Sequence, residues 1–293
     1  LVQSTRIFPV NLTTAGNQTW ETKIQNGLAY VESSSNVVVL PGDAIQLRLT
    51  MPGETATTDP NYKDDGKSGA PDTQTAGIAF KVTIESCDEK WNRSTSGQQV
   101  KVSADSVDQP YAPTYNPANG IANLSCGVVT VDIILKKATK TTFYAEDNDA
   151  TAPTYSSQTV RNVNVVPNPD PPQLKLQLLV PVETADPGSP TGKKNTPADR
   201  IAGESFTVTA NLVDANWNFY NEGGLAVGTT VEITTDDPYD VHPASAALSN
   251  GTKQFSVKLI RAATSKITAD DVDGKGEYYE KDTSPEIKTV PNN

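Results

Sequence analysis

The sequence predicts an all-β protein built from tandem antiparallel β-sandwiches, with almost no helix. Three observations predict it. Apolar residues alternate at period two, a long block of sequence occurs twice, and Thr, Ser, Asn and Pro crowd a chain with no long Leu/Ala/Glu/Lys-rich window. β-branched residues favour strands, and Asn, Pro and Gly favour the tight turns between them. At roughly 100–150 residues per domain, 293 residues accommodate two domains and part of a third.

Taken in chain order, residues 1–41 come first and do not begin a repeat. Phe8-Pro9-Val10-Asn11-Leu12 followed by Trp20 sits in the register of Phe255-Ser256-Val257-Lys258-Leu259 followed by Ile267. Val37-Val38-Val39-Leu40-Pro41 is similar to Val163-Asn164-Val165-Val166-Pro167. Residues 1–41 therefore read either as the terminal strands of an incomplete preceding unit or as an N-terminal extension. The chain opens at Leu1 without a basic-then-apolar leader, which predicts a processed or excised piece. Two or three strands cannot close a sandwich alone, so upstream chain or strand addition from a neighbouring molecule would have to complete them.

Residues 42–167 form the first predicted sandwich and 173–293 the second. Gln46-Leu47-Arg48-Leu49 through Pro52, Glu54 and Thr55 recurs as Gln173-Leu174-Lys175-Leu176 through Pro181, Glu183 and Thr184. Ala76-Gly77-Ile78-Ala79-Phe80-Lys81-Val82-Thr83 recurs as Ala202-Gly203-Glu204-Ser205-Phe206-Thr207-Val208-Thr209, and Asp88-Glu89-Lys90-Trp91-Asn92 as Asp214-Ala215-Asn216-Trp217-Asn218. Within these blocks Phe80/Val82/Ile84, Val100/Val102, Val131/Ile133/Leu135, Phe206/Val208/Ala210, Val231/Ile233 and Phe255/Val257/Leu259 alternate with polar residues. Half-buried antiparallel strands have this pattern. Between the two blocks, the Pro-rich stretch 168–172 predicts a stiff extended spacer and hence an elongated rod.

The ordered motifs Ala-Gly-x-x-Phe-x-Val, Asp-x-x-Trp-Asn, Val231-x-Ile-Thr-Thr-Asp-Asp-Pro238, Leu248-Ser-Asn-Gly-Thr252 and Ile267-Thr-Ala-Asp270 resemble the bacterial Ig-like tandem repeats of large surface proteins. Such repeats occur in adhesins, S-layer-type glycoproteins and extracellular matrix proteins. The resemblance implies a stalk, spacer or lattice role without catalysis. The first unit departs from the second by carrying Cys87 and Cys126 where the second has Val213 and Asn250.

Composition removes several function classes. A net charge of −11 repels nucleic acid and anionic membrane surfaces, and no stretch of about 18 apolar residues is present to span a membrane as a helix. With one His, a catalytic triad or a His-rich zinc site would have to be built around His242. Carboxylates for glycoside hydrolysis are available on paper at Asp236, Asp237 and Asp240 beside Tyr239, with Asp105 and Asp108 in the first unit, but their spacing fits turn caps better.

Four sets of candidate residues remain. Cys87 and Cys126 are expected to form a disulfide, as suits an oxidising compartment. The Asp-x-Asp-Gly turn at Asp271, Asp273 and Glu277, the matching Glu146, Asp147 and Asp149, and the loop with Asp59, Asn61, Asp64 and Asp65 are candidates for Ca²⁺. Sequons stand at Asn11, Asn17, Asn92, Asn123 and Asn250, a number chance alone would supply. Trp91 and Trp217 are expected to pack as structural corners, leaving Tyr111, Tyr115, Tyr220 and Tyr239 as candidates for contacts with partners or glycans.

The expected function is a non-catalytic structural element of an extracellular fibre, S-layer or matrix, partnered by copies of itself. An adhesin or glycan-binding module is the alternative.

Overall fold

Period-two alternation is translated directly into buried and exposed faces. The structure, a computed structural model, describes residues 7–23, 31–33, 35–58, 64–149, 151–170, 174–221, 228–273 and 279–292, which contain no α-helix. In the first sandwich one sheet orders the strands Thr114–Asn116, Val128–Ile134, Phe80–Cys87 and Gln46–Thr50. The other orders Ile121–Asn123, Gln99–Ala104, Thr141–Asp147 and Gln158–Val163. All these pairs are antiparallel. Leu47, Leu49, Val82, Ile84, Val100, Val102, Val131, Ile133, Leu135 and Phe143 meet between the sheets with no exposure.

The second sandwich repeats this plan. Leu174–Leu179, Ser205–Asp214 and Thr252–Lys258 pair in one sheet; Ala246–Ala247, Thr230–Thr235, Ile267–Asp271 and Asp282–Thr283 pair in another. Their inward residues, among them Leu176, Leu178, Val208, Leu212, Ile233, Val257 and Leu259, make a separate core. Every alternating residue named above is buried except Phe80 and Phe206, which pack at the margins. Phe80 meets Phe143 edge-on with centroids 6.0 Å apart, a favoured aromatic geometry.

Strand pairing corrects one sequence match. Leu47 lies opposite Ser86 and Leu49 opposite Ile84, whereas Leu176 lies opposite Leu212 and Leu178 opposite Ala210. Leu47 thus corresponds to Leu176, two positions beyond the match between Gln46-Leu47 and Gln173-Leu174. Because side chains alternate at period two, a shift of two keeps every apolar residue inward; the matches of Pro52, Glu54 and Thr55 with Pro181, Glu183 and Thr184 already stand in the corrected register.

Arg48 and Gln177 become equivalent in the corrected register. Arg48 Nε and Nη2 lie 2.8 and 2.6 Å from Glu85 Oε2, and both side chains are buried. In the second sandwich, Gln177 Oε1 instead accepts a bond from Asn211 Nδ2 at 3.2 Å. A charged pair and a neutral amide pair therefore occupy the same place.

Of the N-terminal segment, Gly16–Gln18 pairs with Val37–Val39 and Glu21–Lys23 with Val31–Ser33. Ile7, Val10, Val38 and Leu40 are 88, 55, 64 and 77% exposed.

Candidate functional site

The recurrent Asp-x-x-Trp-Asn motif forms a tight corner at the end of the longest strand of each sandwich. In the first, Asp88 Oδ1 accepts the amides of Lys90 and Asn92 at 2.8 and 3.0 Å. In the second, Asp214 Oδ1 accepts those of Asn216 and Asn218 at 2.8 and 2.9 Å. The chain also closes on itself, with Asp88 N donating to Asn92 O and Asp214 N to Asn218 O, both at 2.9 Å. These bonds hold Trp91 and Trp217 at φ of 62° and 66°, a left-handed conformation that costs a side-chain-bearing residue about 1–2 kcal/mol.

Each indole then lies flat on a glycine. A Cβ at Gly66 would come within 2.4 Å of the Trp91 ring, and one at Gly192 within 2.3 Å of the Trp217 ring. The Gly66 carbonyl accepts Arg48 Nη1 at 3.3 Å and the Gly192 carbonyl accepts Gln177 Nε2 at 2.8 Å. Lys175 Nζ sits 3.4 Å from the centroid of the Trp217 ring. Both tryptophans are thus corner residues, as expected, rather than exposed sugar platforms.

The Asn that ends each corner reaches out of its own sandwich. Asn218 Nδ2 donates to Lys136 O at 2.8 Å, and Asn218 Oδ1 accepts Ala138 N at 2.7 Å, both on the first sandwich. Asp214 Oδ2 takes the amide of Asn168 in the linker at 3.0 Å. One repeat earlier, Asn92 Nδ2 donates to Thr13 O and Asn92 Oδ1 accepts Ala15 N, both at 2.8 Å, while Asp88 Oδ2 takes the amide of Gly42 at 2.8 Å. The same two side chains make the same three bonds at both joints. Burial alone would raise the Asp88 pKa, but hydrogen bonds from Asn92, Gly42 and Lys90 outweigh it and hold the carboxyl below its ordinary value.

A second bridge supports the later joint. The Tyr111 hydroxyl donates to Asp186 Oδ2, and Asp186 Oδ1 pairs with Lys194 at 3.0 Å. Gly188 N donates to Asn216 O at 2.7 Å and packs beside Tyr111 and Lys137. Tyr111, a candidate for contacts with partners or glycans, therefore makes an intramolecular contact at the joint. Tyr115 accepts Ala104 N at 2.9 Å and Tyr220 packs on the second core. Of these four tyrosines Tyr239 is the well-exposed one, at 68%.

The remaining candidates are placed as follows. Cys87 and Cys126 are free, which corrects the expected disulfide. Cys87 is buried on its strand, and burial pushes its thiol up to about 12. Cys126 sits at the tip of the Ser125–Val128 turn with φ of 50° and is exposed to solvent.

The acidic loops are committed to backbone amides. Asp147 Oδ2 accepts Tyr155 N at 2.9 Å and Asp149 Oδ2 accepts Gln99 N at 2.8 Å. Asp271 Oδ2 and Asp273 Oδ2 accept Tyr279 N and Thr230 N at 3.2 and 2.8 Å in the equivalent places. Glu146 and Asp64 are exposed, whereas Asp59, Asn61 and Glu277 lie outside the described residues. Among the described residues, no three His, Cys, Asp or Glu side chains converge as a metal site would require.

Asn11, Asn17, Asn123 and Asn250 are exposed. Asn92 is buried with Nδ2 engaged, which removes it as a glycan acceptor in this fold. Asp237 Oδ2 accepts the amides of Ile260 and Arg261 at 2.7 and 2.8 Å, and Asp240 accepts Thr235 Oγ1 at 2.8 Å. These carboxylates cap turns, as their spacing suggested. Among the described residues, no helix is long and apolar enough to cross a membrane.

No family model and no curated protein matches the chain. Solved structures similar to it include the D0-D1 domain of Intimin, at 15% identity over 74% of this chain and 94% of that one, with a TM-score of 0.27. The Escherichia coli adhesin FdeC matches at 11% identity over 94% and 74%, with a TM-score of 0.35. Domains 4–9 of the surface layer protein SbsC match at 14% identity over 95% and 35%, with a TM-score of 0.27. At these values the likenesses carry no argument about function.

Proposed function

We propose that this chain is a non-catalytic spacing module of an extracellular, cell-surface protein, in which tandem Ig-like sandwiches are held at defined angles to form a stiff rod. The observation that carries the reading is the duplicated joint: Asn92 and Asn218 each clasp the backbone of the preceding segment with the same pair of bonds. A flexible tether needs no such clasp. A module whose work is to hold distance and orientation does. Small-angle X-ray scattering of the 293-residue chain tests this: the expected result is one rod-like envelope unchanged between low and high salt. A distribution of interdomain angles broadening to that of a free linker would sink the reading.

Residues 7–41 bear on a fibre or lattice assembled through copies of the chain. Val10, Val38 and Leu40 present apolar side chains to solvent, and short paired strands with such a surface gain by adding a strand from a second copy. Sedimentation velocity across a concentration series is expected to show association that is lost when Val10 and Val38 are both changed to Lys. The adhesin alternative has Tyr239 and Val241, 68 and 57% exposed, in its favour. Glycan-array binding abolished by Tyr239→Ala would select it instead.

A further inference from the structure

Each Asp-x-x-Trp-Asn corner closes on three backbone groups of the preceding segment, and the second sandwich carries the same three groups at its own far end. Pairing establishes the equivalence. Ile133 lies opposite Phe80 and Val257 opposite Phe206, so Lys136 and Ala138 correspond to Ile260 and Ala262. Gly77 N donates to Leu135 O and Gly203 N to Leu259 O, both at 2.8 Å, which fixes the same register independently. Val165 lies opposite Gln74 and Thr289 opposite Arg200, both in parallel pairs, so Pro167-Asn168 corresponds to Pro291-Asn292.

The socket is also braced in the same way. Gln109 Oε1 accepts Lys137 N at 3.0 Å behind the first socket, and Asp237 Oδ2 accepts Arg261 N at 2.8 Å behind its equivalent. The two differ in cover. A Cβ at Gly77, whose φ is +81°, would lie 2.8 Å from Asn216 of the following sandwich. At Gly203, with φ of +82°, it would meet nothing within 4 Å. Among the described residues, no group bonds to the Ile260 carbonyl, the Ala262 amide or the Asn292 amide.

We propose that the Ile260 carbonyl, Ala262 amide and Asn292 amide form a third docking socket, whose partner is the Asp-x-x-Trp-Asn corner of a further sandwich of this kind. The corner's Asn spans Ile260 and Ala262, its Asp accepts Asn292 N, and the residue before its Trp covers Gly203. This rests on the reading of the chain as a module of stacked sandwiches, and it names the chemistry by which one more unit is recognised.

The test appends a copy of residues 170–293 directly after Asn293, so that the Pro291-Asn292 linker continues as Pro167-Asn168 does. Amide exchange by NMR is compared with that of the 293-residue chain. The Ala262 and Asn292 amides are expected to slow by at least about tenfold, the equivalent of one net hydrogen bond, toward the rates of Ala138 and Asn168. Asn218→Ala in the appended copy returns Ala262 to its original rate, while that copy's core amides report that it still folds. Residual dipolar couplings give a second readout that needs no variant: the new joint is expected to reproduce the orientation of the existing one. Unchanged exchange at Ala262 and Asn292, or independent tumbling of the appended sandwich, overturns the inference. Neither result touches the Asn92 and Asn218 joints, whose stiffness the scattering experiment measures separately.

Discussion

Replacing Asn218 with Ala tests whether the joint is made by a side chain or merely by proximity. The substitution removes two bonds between the sandwiches, Asn218 Nδ2 to Lys136 O and Ala138 N to Asn218 Oδ1. At about 0.5–1.5 kcal/mol net for each bond, the closed joint loses about 1–3 kcal/mol. At 1.4 kcal/mol per tenfold, that is a shift of roughly 5- to 150-fold toward the open form. The corner loses the bond from Asn218 Nδ2 to Asp214 Oδ2 at 2.9 Å but keeps its main-chain frame, because Asp214 Oδ1 still accepts the main-chain amides of residues 216 and 218. Exchange of the Ala138 amide reads the joint directly, and it is expected to accelerate by that factor while amides in the core strand Val128–Ile134 keep their rates. The same change at Asn92 is expected to release Ala15 alone. If Ala138 exchanges as before and only the second sandwich loses stability, Asn218 serves the corner and not the joint, and the case for a built-in spacer fails.

Other consequences follow from the same contacts. Arg48→Gln leaves buried Glu85 only the longer Arg93 contact at 3.8 Å, and Glu85→Asn leaves buried Arg48 without a carboxylate, so each is expected to cost up to about 3–5 kcal/mol; the double variant, which reproduces the Gln177–Asn211 pair, should return to within about 1 kcal/mol, and additive losses in urea unfolding would refute the equivalence. Gly66→Ala and Gly192→Ala drive a methyl into an indole ring at a left-handed φ, for an expected loss of about 2–4 kcal/mol, visible in tryptophan fluorescence and the unfolding midpoint. The lowered pKa of Asp88 contributes stability that is present above the ordinary value of 3.8 and lost as pH falls through the lower folded value; Asp88→Asn should flatten that acid limb, and an unaltered urea midpoint profile between pH 5 and 2 would count against it. Iodoacetamide at pH 8 is expected to modify Cys126 but not the buried Cys87, giving one adduct on the native protein and two after unfolding without reductant. No adduct either before or after unfolding would refute the free thiols.

Much of the fold was legible because burial in a sandwich leaves a simple trace. Val82/Ile84, Val231/Ile233 and Val257/Leu259 alternate in sequence and are buried in structure, and the duplicated Asp-x-x-Trp-Asn marked a corner before any contact was known. Register was not legible to the same degree. Gln46-Leu47 matches Gln173-Leu174 two positions short of the register in which Pro52, Glu54 and Thr55 match Pro181, Glu183 and Thr184; a slip of two preserves the inward face, and pairing with Leu212 decides for Leu176. The acidic loops show another limit of spacing. Asp147, Asp149, Asp271 and Asp273 have the spacing of cation ligands, and a carboxylate at a strand end answers equally well to backbone amides, which each of these four accepts.

By itself, then, the sequence determined the class of structure, the two repeats and the residues that fill each core, because these depend on local propensity and on which side of a strand a residue faces. Tertiary structure alone decided what the repeated Asn does. Whether Asn92 and Asn218 end a turn or clasp the preceding segment depends on a carbonyl and an amide some 80 residues away in the chain, on Thr13 and Ala15 or on Lys136 and Ala138. Backbone groups carry no sequence signature, so a joint built from them becomes visible only when the segments that bear them are brought together.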